Sequence, residues 1–470
     1  MESAALPVDA ITGSMRAPPH PPVPPFSTMT PLRLALRFSI GLALTTQLPG
    51  CAHEASPVAR TWDRADRHYA AVRALEMIGA AEDYAHDAYV EPITREALRG
   101  ACVAAWPAQL PRPTSAHRDA LRAALDAMPI VDVRQARDEC LRGMMRALDG
   151  RSRYAVAADR SADLKNRISP GLGLAPGTRG RIVSVVPGSP ADAAGVLPGD
   201  RLVEIDGQPG TDRPEDELEA RLRGAPGSRV TLGLLRGHDE RRLDITIQRE
   251  RFASVRVDET APGVLLVSLA QLQEETARDF MRAFVEARQR QAGDLRGVVL
   301  DLRDNTGGLL STVTDIASLL LPEGVPIIEL RGRGSEPQIW KAELSRSLMY
   351  DRPRAISVQS QLRRVPIVVL VNEHSASGAE MIAAALQDHG RARVLGARSA
   401  GVGAIQTVRP LQADDGLHLI LLTTARAHRS TGAPIAAGVL PDLVVDGTRP
   451  LRGSSARDPA VAAALEALAR

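Results

Sequence analysis

Apolar positions recur along this chain with two different periods. From Ala65 to Ala81 and from Ala116 to Met128, Ala and Leu are interleaved with Arg at helical spacing, which predicts two helices. The same 3.6-residue spacing over Glu274 to Gln289 predicts an amphipathic helix. Elsewhere the apolar residues run together. Gly263-Val264-Leu265-Leu266-Val267-Ser268 reads as a strand, and the runs at Val298-Val299-Leu300 and Val368-Val369-Leu370-Val371 read as strands buried on both faces. Glu380 to Leu386 predicts a helix soon after the last of these, and Ala460 to Arg470 a short terminal one. Strands alternating with helices predict an α/β core beginning near residue 253.

At 470 residues the chain has room for two or three domains. A net charge of +2 argues against a nucleic-acid-binding surface. No zinc-ligand spacing and no phosphate-binding loop occurs, so no metal and no cofactor is expected. Arg33 and Arg37 precede the apolar run Phe38 to Leu44, which leads to Leu48-Pro49-Gly50-Cys51. This is the layout of an export signal, and its end resembles a bacterial lipoprotein box with Cys51 as the lipidated residue. The run is too short for a comfortable membrane span. A periplasmic or cell-envelope location follows, with or without a lipid anchor. Cys102 and Cys140 either pair in that oxidising setting or sit as two buried thiols.

The middle of the chain carries a second set of motifs. Gly171-Leu172-Gly173-Leu174 is followed by Ile182 to Ala191, then by Ala194-Gly195-Val196-Leu197-Pro198-Gly199-Asp200-Arg201-Leu202. This stretch, from Pro170 to Arg249, resembles a PDZ domain. The resemblance implies an extended peptide added to a sheet edge, with its terminal carboxylate held by backbone N–H groups of Gly171, Leu172, Gly173 and Leu174. Glycine at 171 and 173 permits that close approach; a plain tight turn is the simpler use of the same residues.

The strand at Val368 leads into Asn372-Glu373-His374-Ser375-Ala376-Ser377-Gly378-Ala379-Glu380. This segment resembles the active-site segment of the C-terminal processing (tail-specific) serine proteases, and the likeness extends from about Ala65 to Asp446. It implies Ser377 as nucleophile, with an oxyanion hole from the amides of Gly378 and of Gly308 in Leu302-Arg303-Asp304-Asn305-Thr306-Gly307-Gly308. In the family a Gly-Lys-Gly lies 25 residues beyond the nucleophile, and its lysine is the general base. Here that text is Gly401-Val402-Gly403. Gln406 matches the glutamine that orients the lysine amine.

Valine has no lone pair, and a serine hydroxyl is a poor nucleophile without a base. The chain has two lysines, Lys165 and Lys341; the first precedes a separate domain and the second falls in a peripheral hairpin. His374, His389 and His428 are candidate replacement bases, since imidazole titrates in the useful range. The expected architecture is multidomain α+β: a leader and export signal over 1–51, a helical region over 60–160, a PDZ domain over 165–252, an α/β protease-like core over 253–450 and a tail helix over 451–470. Protein or peptide substrates with free C-termini are the implied partners. Three readings stand: a protease with another base, a peptide-binding pseudoprotease, and a weak hydrolase relying on oxyanion stabilisation and binding alone.

Overall fold

The computed structural model describes residues 57–157, 172–176, 178–186, 188–210, 218, 221–222, 224–250, 254–445 and 458–469. The export signal, Cys51, Lys165 and Gly171 lie outside the described residues. Four helices come first: α1 (Pro57–Ala88), α2 (Arg95–Ala104), α3 (Arg118–Asp126) and α4 (Ile130–Arg146). Thr94 caps α2 by accepting the Ala97 N–H (3.1 Å). α2 and α4 lie so close that a Cβ on Gly143 would sit 2.6 Å from the Ala101 carbonyl. Cys102 and Cys140, both fully buried, are joined across this contact. Among the described residues, no helix is long and apolar enough to cross a membrane.

β1 (Arg153–Ala157) leads out of these helices. The PDZ segment follows with β2 (Leu174–Pro176), β3 (Ile182–Val185), α5 (Pro190–Ala193), β4 (Arg201–Ile205), β5 (Gln208–Pro209), β6 (Arg229–Arg236) and β7 (Arg241–Gln248). β2 pairs with β3, and a second sheet runs β5-β4-β6-β7. Ile182, Val196, Leu202, Leu232 and Leu234 fill the core between them. The buried Asp200 carboxylate holds Arg236 through two 2.7 Å bonds and fixes the loop before β4.

The C-terminal half contains β8 (Val255–Ala261), β9 (Val264–Leu269), α6 (Thr276–Arg290), β10 (Gly297–Asp301), α7 (Leu310–Leu320), β11 (Pro326–Gly332) and β12 (Gln338–Lys341). Then come α8 (Arg346–Met349), α9 (Arg352–Leu362), β13 (Ile367–Val371), α10 (Gly378–Asp388), β14 (Ala392–Gly396), β15 (Ala404–Ala413), β16 (Gly416–Arg429), β17 (Leu443–Val444) and α11 (Pro459–Ala469). Six strands form one sheet in the order β17-β14-β13-β10-β9-β8, parallel except for β8. Side chains alternate across it. Leu265, Val267, Val298, Leu300, Val369 and Val371 face the cluster built with α6, α7, α9 and α10. Leu266, Val299, Val368, Leu370 and Leu395 face α11 through Ala460, Val461 and Ala464. Cover on both faces is why β10 and β13 read as unbroken apolar runs.

The other sheet is built on the long β16, which pairs with β1, β11 and β15, while β12 pairs with β11. Lys341 ends β12 opposite Pro326, in the peripheral hairpin expected from the sequence. Leu411, Ile420 and Leu422 of β15 and β16 share one cluster with Leu98, Leu125 and Met144 of the N-terminal helices, so that region and the core pack together.

A polar ring reinforces this junction, with Arg137, Tyr154 and His418 buried and Asp138 and Asp415 nearer the surface. Arg137 of α4 grips both oxygens of Asp415 (3.0 and 2.8 Å) and also bonds Asp138 (2.8 Å). Tyr154 Oη lies 2.7 Å from Asp138 and 2.5 Å from His418 Nδ1, while His418 Nε2 lies 3.1 Å from Asp415. Burial, aided by Arg137, pushes the His418 pKa below its ordinary value. Burial alone would raise Asp415, but the bonds and charge of Arg137, with His418, hold it well below the usual carboxylate range.

Both shifts make the unfolded chain take up protons first, so stability rises with pH. Thermal midpoints should begin to fall below about pH 6.5 as His418 protonates on unfolding, and fall further below about pH 4 through Asp415. His418→Gln should remove the upper step. Arg137→Ala should cost about 2 kcal/mol in denaturant titrations, because Asp138 and Asp415 each lose a charge-assisted partner while water still reaches Asp415.

Candidate active site

Ser377 stands between the end of β13 at Val371 and the start of α10 at Gly378. Its φ of 53° lies in the left-handed region, which costs a non-glycine residue energy and therefore needs holding. The holding group is Glu380, in the first turn of α10 and fully buried. Its Oε2 accepts the Ser377 N–H (2.7 Å) and the Val402 N–H (2.7 Å). Its Oε1 accepts the Gly401 N–H (2.7 Å) and the Ser399 hydroxyl (2.5 Å). Four donors and the helix N-terminus stabilise this carboxylate, which has no cationic partner among the described residues. The sequence signal was present: Ser377 with Glu380 three residues on is a capping box.

A second loop, after β10, is locked onto the first. Asp304 N–H donates to Asn372 Oδ1 (2.9 Å), and Asn372 Nδ2 returns a bond to Asp304 Oδ1 (2.8 Å). Ser375 Oγ donates to the Leu302 carbonyl (2.8 Å), and Ala376 N–H to the Asn305 carbonyl (2.9 Å). Asn305 is fully buried, accepting from Gly307 N–H (2.8 Å) and donating to the Leu269 carbonyl (2.7 Å). It is therefore a structural strut rather than only a turn residue. Asn372 and Asp304 were not singled out from the sequence, since their bond spans 68 positions and has no local signature.

This interlock brings the glycines against the serine. A Cβ on Gly307 would meet Gly378 N at 2.6 Å and Ser377 Cβ at 2.8 Å. A Cβ on Gly308 would lie 1.9 Å from the Leu272 carbonyl oxygen. Among the described residues, the Gly308 and Gly378 N–H groups donate to no backbone carbonyl. The Gly378 amide directly follows Ser377, and Gly307, next to Gly308, packs against Ser377 Cβ; backbone amides without carbonyl partners next to a serine are the ingredients of an oxyanion hole.

The candidate bases lie elsewhere. His389 Nε2 donates to the Pro326 carbonyl (2.7 Å), His428 Nδ1 donates to the Arg426 carbonyl (3.3 Å), and His374 Nδ1 lies 3.3 Å from Asp304 Oδ1. Among the described residues, neither a histidine nor Lys341 hydrogen-bonds the Ser377 hydroxyl. Gln406 is exposed and donates to the Arg151 carbonyl, so its amide ties β15 to the segment before β1. Val402 is brought to the serine: its amide and that of Ser377 share a single carboxylate oxygen.

In the PDZ segment, the Leu172 and Gly173 carbonyls point into the domain, accepting from Ala191 (2.8 Å) and Val186 (2.7 Å). Gly173 has a φ of 70°, and Leu174 pairs opposite Val185. Among the described residues, the Leu172 and Gly173 N–H groups donate to no backbone carbonyl.

Comparison with known proteins bears on the family and the domains. The profile of peptidase family S41 matches residues 263–445, and that of the PDZ domain matches residues 181–236. A carboxy-terminal-processing protease of Bartonella bacilliformis is 32% identical over 326 residues, 67% of this chain and 71% of that protein. A carboxyl-terminal-processing protease of Synechocystis sp. is 31% identical over 56% of this chain and 58% of its own length. A probable CtpA-like serine protease of Staphylococcus aureus is 30% identical, with 50% of its length covered. Among solved structures, a photosystem II D1 C-terminal processing protease matches 79% of this chain and 93% of its own, with a TM-score of 0.57 at 25% identity.

Glu380→Ala should lower unfolding free energy by about 4 kcal/mol, since it orphans four donors. Gly308→Ala should cost about 3 kcal/mol or more, because its Cβ meets fixed backbone. Gly378→Ala should cost only about 1 kcal/mol, since the Val313 and Leu272 side chains can yield. Chemical denaturation of the three variants checks the ordering.

Proposed function

The chain belongs to the carboxy-terminal-processing proteases of peptidase family S41, and from that premise we propose that Ser377 is an oxyanion-backed nucleophile whose activating amine is missing. A protease with a PDZ domain implies protein or peptide substrates. In this reading the PDZ domain takes free C-termini, with the Leu172–Leu174 amides receiving the carboxylate. The peptide then reaches Ser377, where the Gly308 and Gly378 amides face the developing oxyanion.

One observation carries the impairment. The Val402 and Ser377 amides meet at Glu380 Oε2, so the side chain at 402 departs from a point within two hydrogen bonds of the nucleophile's backbone. That is where a lysine would deliver a neutral amine. An isopropyl group accepts no proton, and turnover as a Ser–Lys protease is therefore impaired. The second reading, a non-catalytic envelope adaptor, is favoured by the Leu172 and Gly173 amides, which among the described residues donate to no backbone carbonyl and so suit a peptide carboxylate. Export, with Cys51 as a lipid attachment point, completes the proposal; loss of membrane association on Cys51→Ser would support the anchor, and an unchanged distribution would remove it.

Val402→Lys should raise fluorophosphonate labelling of Ser377 and peptide cleavage by about 10²- to 10⁴-fold, the usual worth of a general base. Wild-type protein labelled as fast as the lysine variant would mean that another group already activates Ser377. Peptide binding should need a free C-terminus, and calorimetry with acid and amide forms of one peptide tests this; equal affinities would remove carboxylate capture.

A further inference from the structure

The loop that carries the Gly308 amide is anchored at its other end by a residue from the far end of the chain. Arg303, directly after Leu302, has a side chain only 1% exposed, and its guanidinium lies between two carboxylates. Toward Asp301 it gives Nε to Oδ1 (2.9 Å) and Nη2 to Oδ2 (2.7 Å). Toward Asp458 it gives Nη1 to Oδ1 (3.0 Å) and Nη2 to Oδ2 (2.8 Å), a bidentate pair spanning 155 positions. The Asp458 side chain is 3% exposed and also starts α11, accepting the Ala460 N–H (3.0 Å). α11 is itself pinned to the sheet through Ala460, Val461 and Ala464, and Leu468 reaches Gly297 at the start of β10.

The geometry points to Asp458 as a positioning residue for the oxyanion loop, through which the C-terminal helix holds residues 302–308 in the arrangement that aims the Gly308 amide at Ser377. This inference rests on the active-site reading given above for Ser377 and Gly308. Its physical basis is rigidity. A guanidinium fixed on both edges cannot swing, and the next residue, Asp304, must hold a φ of 58° for the loop to reach Asn372. Asp301 alone leaves half of the fork unbound in a buried site, where an unpaired charge seeks a new arrangement. Burial opposes the Arg303 charge, and the Asp301 and Asp458 carboxylates more than offset it, so its pKa is raised.

Asparagine caps helices as well as aspartate does. Asp458→Asn therefore keeps the start of α11 while removing the charge that Arg303 grips. The full chain is compared by hydrogen–deuterium exchange in wild-type, Asp458→Asn and Val461→Ala forms; the last loosens helix packing with Asp458 intact. Exchange over 302–309 should rise about tenfold in Asp458→Asn, with β6 and β7 unchanged, and Val461→Ala should lower the thermal midpoint without moving the loop. Loop exchange at the wild-type rate in Asp458→Asn, or equal rises in both variants, would overturn the proposal. If Asp458→Asn does not fold, Asp458→Glu, which keeps the charge but shifts it by one methylene, takes its place under the same criteria. A dipeptide boronic acid supplies the second readout: Ser377 Oγ adds to boron, a proton leaves to solvent, and the boronate oxygen takes the oxyanion position. Its affinity should fall about tenfold in Asp458→Asn; an unchanged affinity counts against the proposal. Adduct formation that persists in Ser377→Ala would refute the active-site reading, and the exchange comparison would still decide the role of Asp458.

Discussion

One carboxylate holds the site together. Glu380 receives the amides of Ser377 and Val402 on Oε2, and the Ser399 hydroxyl and the Gly401 amide on Oε1. The backbone of Ser377 is strained, and the loop at 399–403 has little regular structure of its own. Each would relax alone; bonded to the same two oxygens, they define one geometry. A buried carboxylate with so many donors costs desolvation energy to place, which the first turn of α10 and the charge-assisted bonds offset.

The rest of the fold serves that junction. β10 and β13 are adjacent parallel strands, and the loops leaving their C-terminal ends carry Gly308 and Ser377. Ligands gather at such strand ends in open α/β sheets because the loops there converge. Asn305, Asn372 and Asp304 stitch the two loops together, and Arg303 ties the first of them to Asp458. Among the described residues, the hydrogen bonds of this interlock use the amide of Val402 and not its side chain.

Gln406 shows a different accommodation. Expected to orient an amine, it instead donates to the Arg151 carbonyl, where the chain leaves the helical region for β1. Gln406 therefore has a structural partner in the backbone that leads into β1. The three histidines likewise have local environments: His389 lies against the β11 chain, His428 in β16 and His374 near Asp304.

Much of the fold was legible in the chain because its signals are local. The apolar runs at Val298 and Val368 are strands, Glu274 to Gln289 closely overlaps α6, and the glycine pattern of the PDZ segment marks its turns, since each depends on spacing within one element. The predicted helix at Ala65 to Ala81 proved to be the middle of the longer α1. Ser377, Val402 and the two glycines were nominated through motifs that are contiguous, and Glu380 joins the amides of Ser377 and Val402 in the fold. What the tertiary structure alone decided was long-range: that Cys102 meets Cys140, that Asp458 grips Arg303, that Asp304 locks to Asn372, and that α4 shares a core with β15 and β16. Periodicity reports which face of an element is buried, whereas a bond between distant positions exists only once packing has brought its two ends into reach.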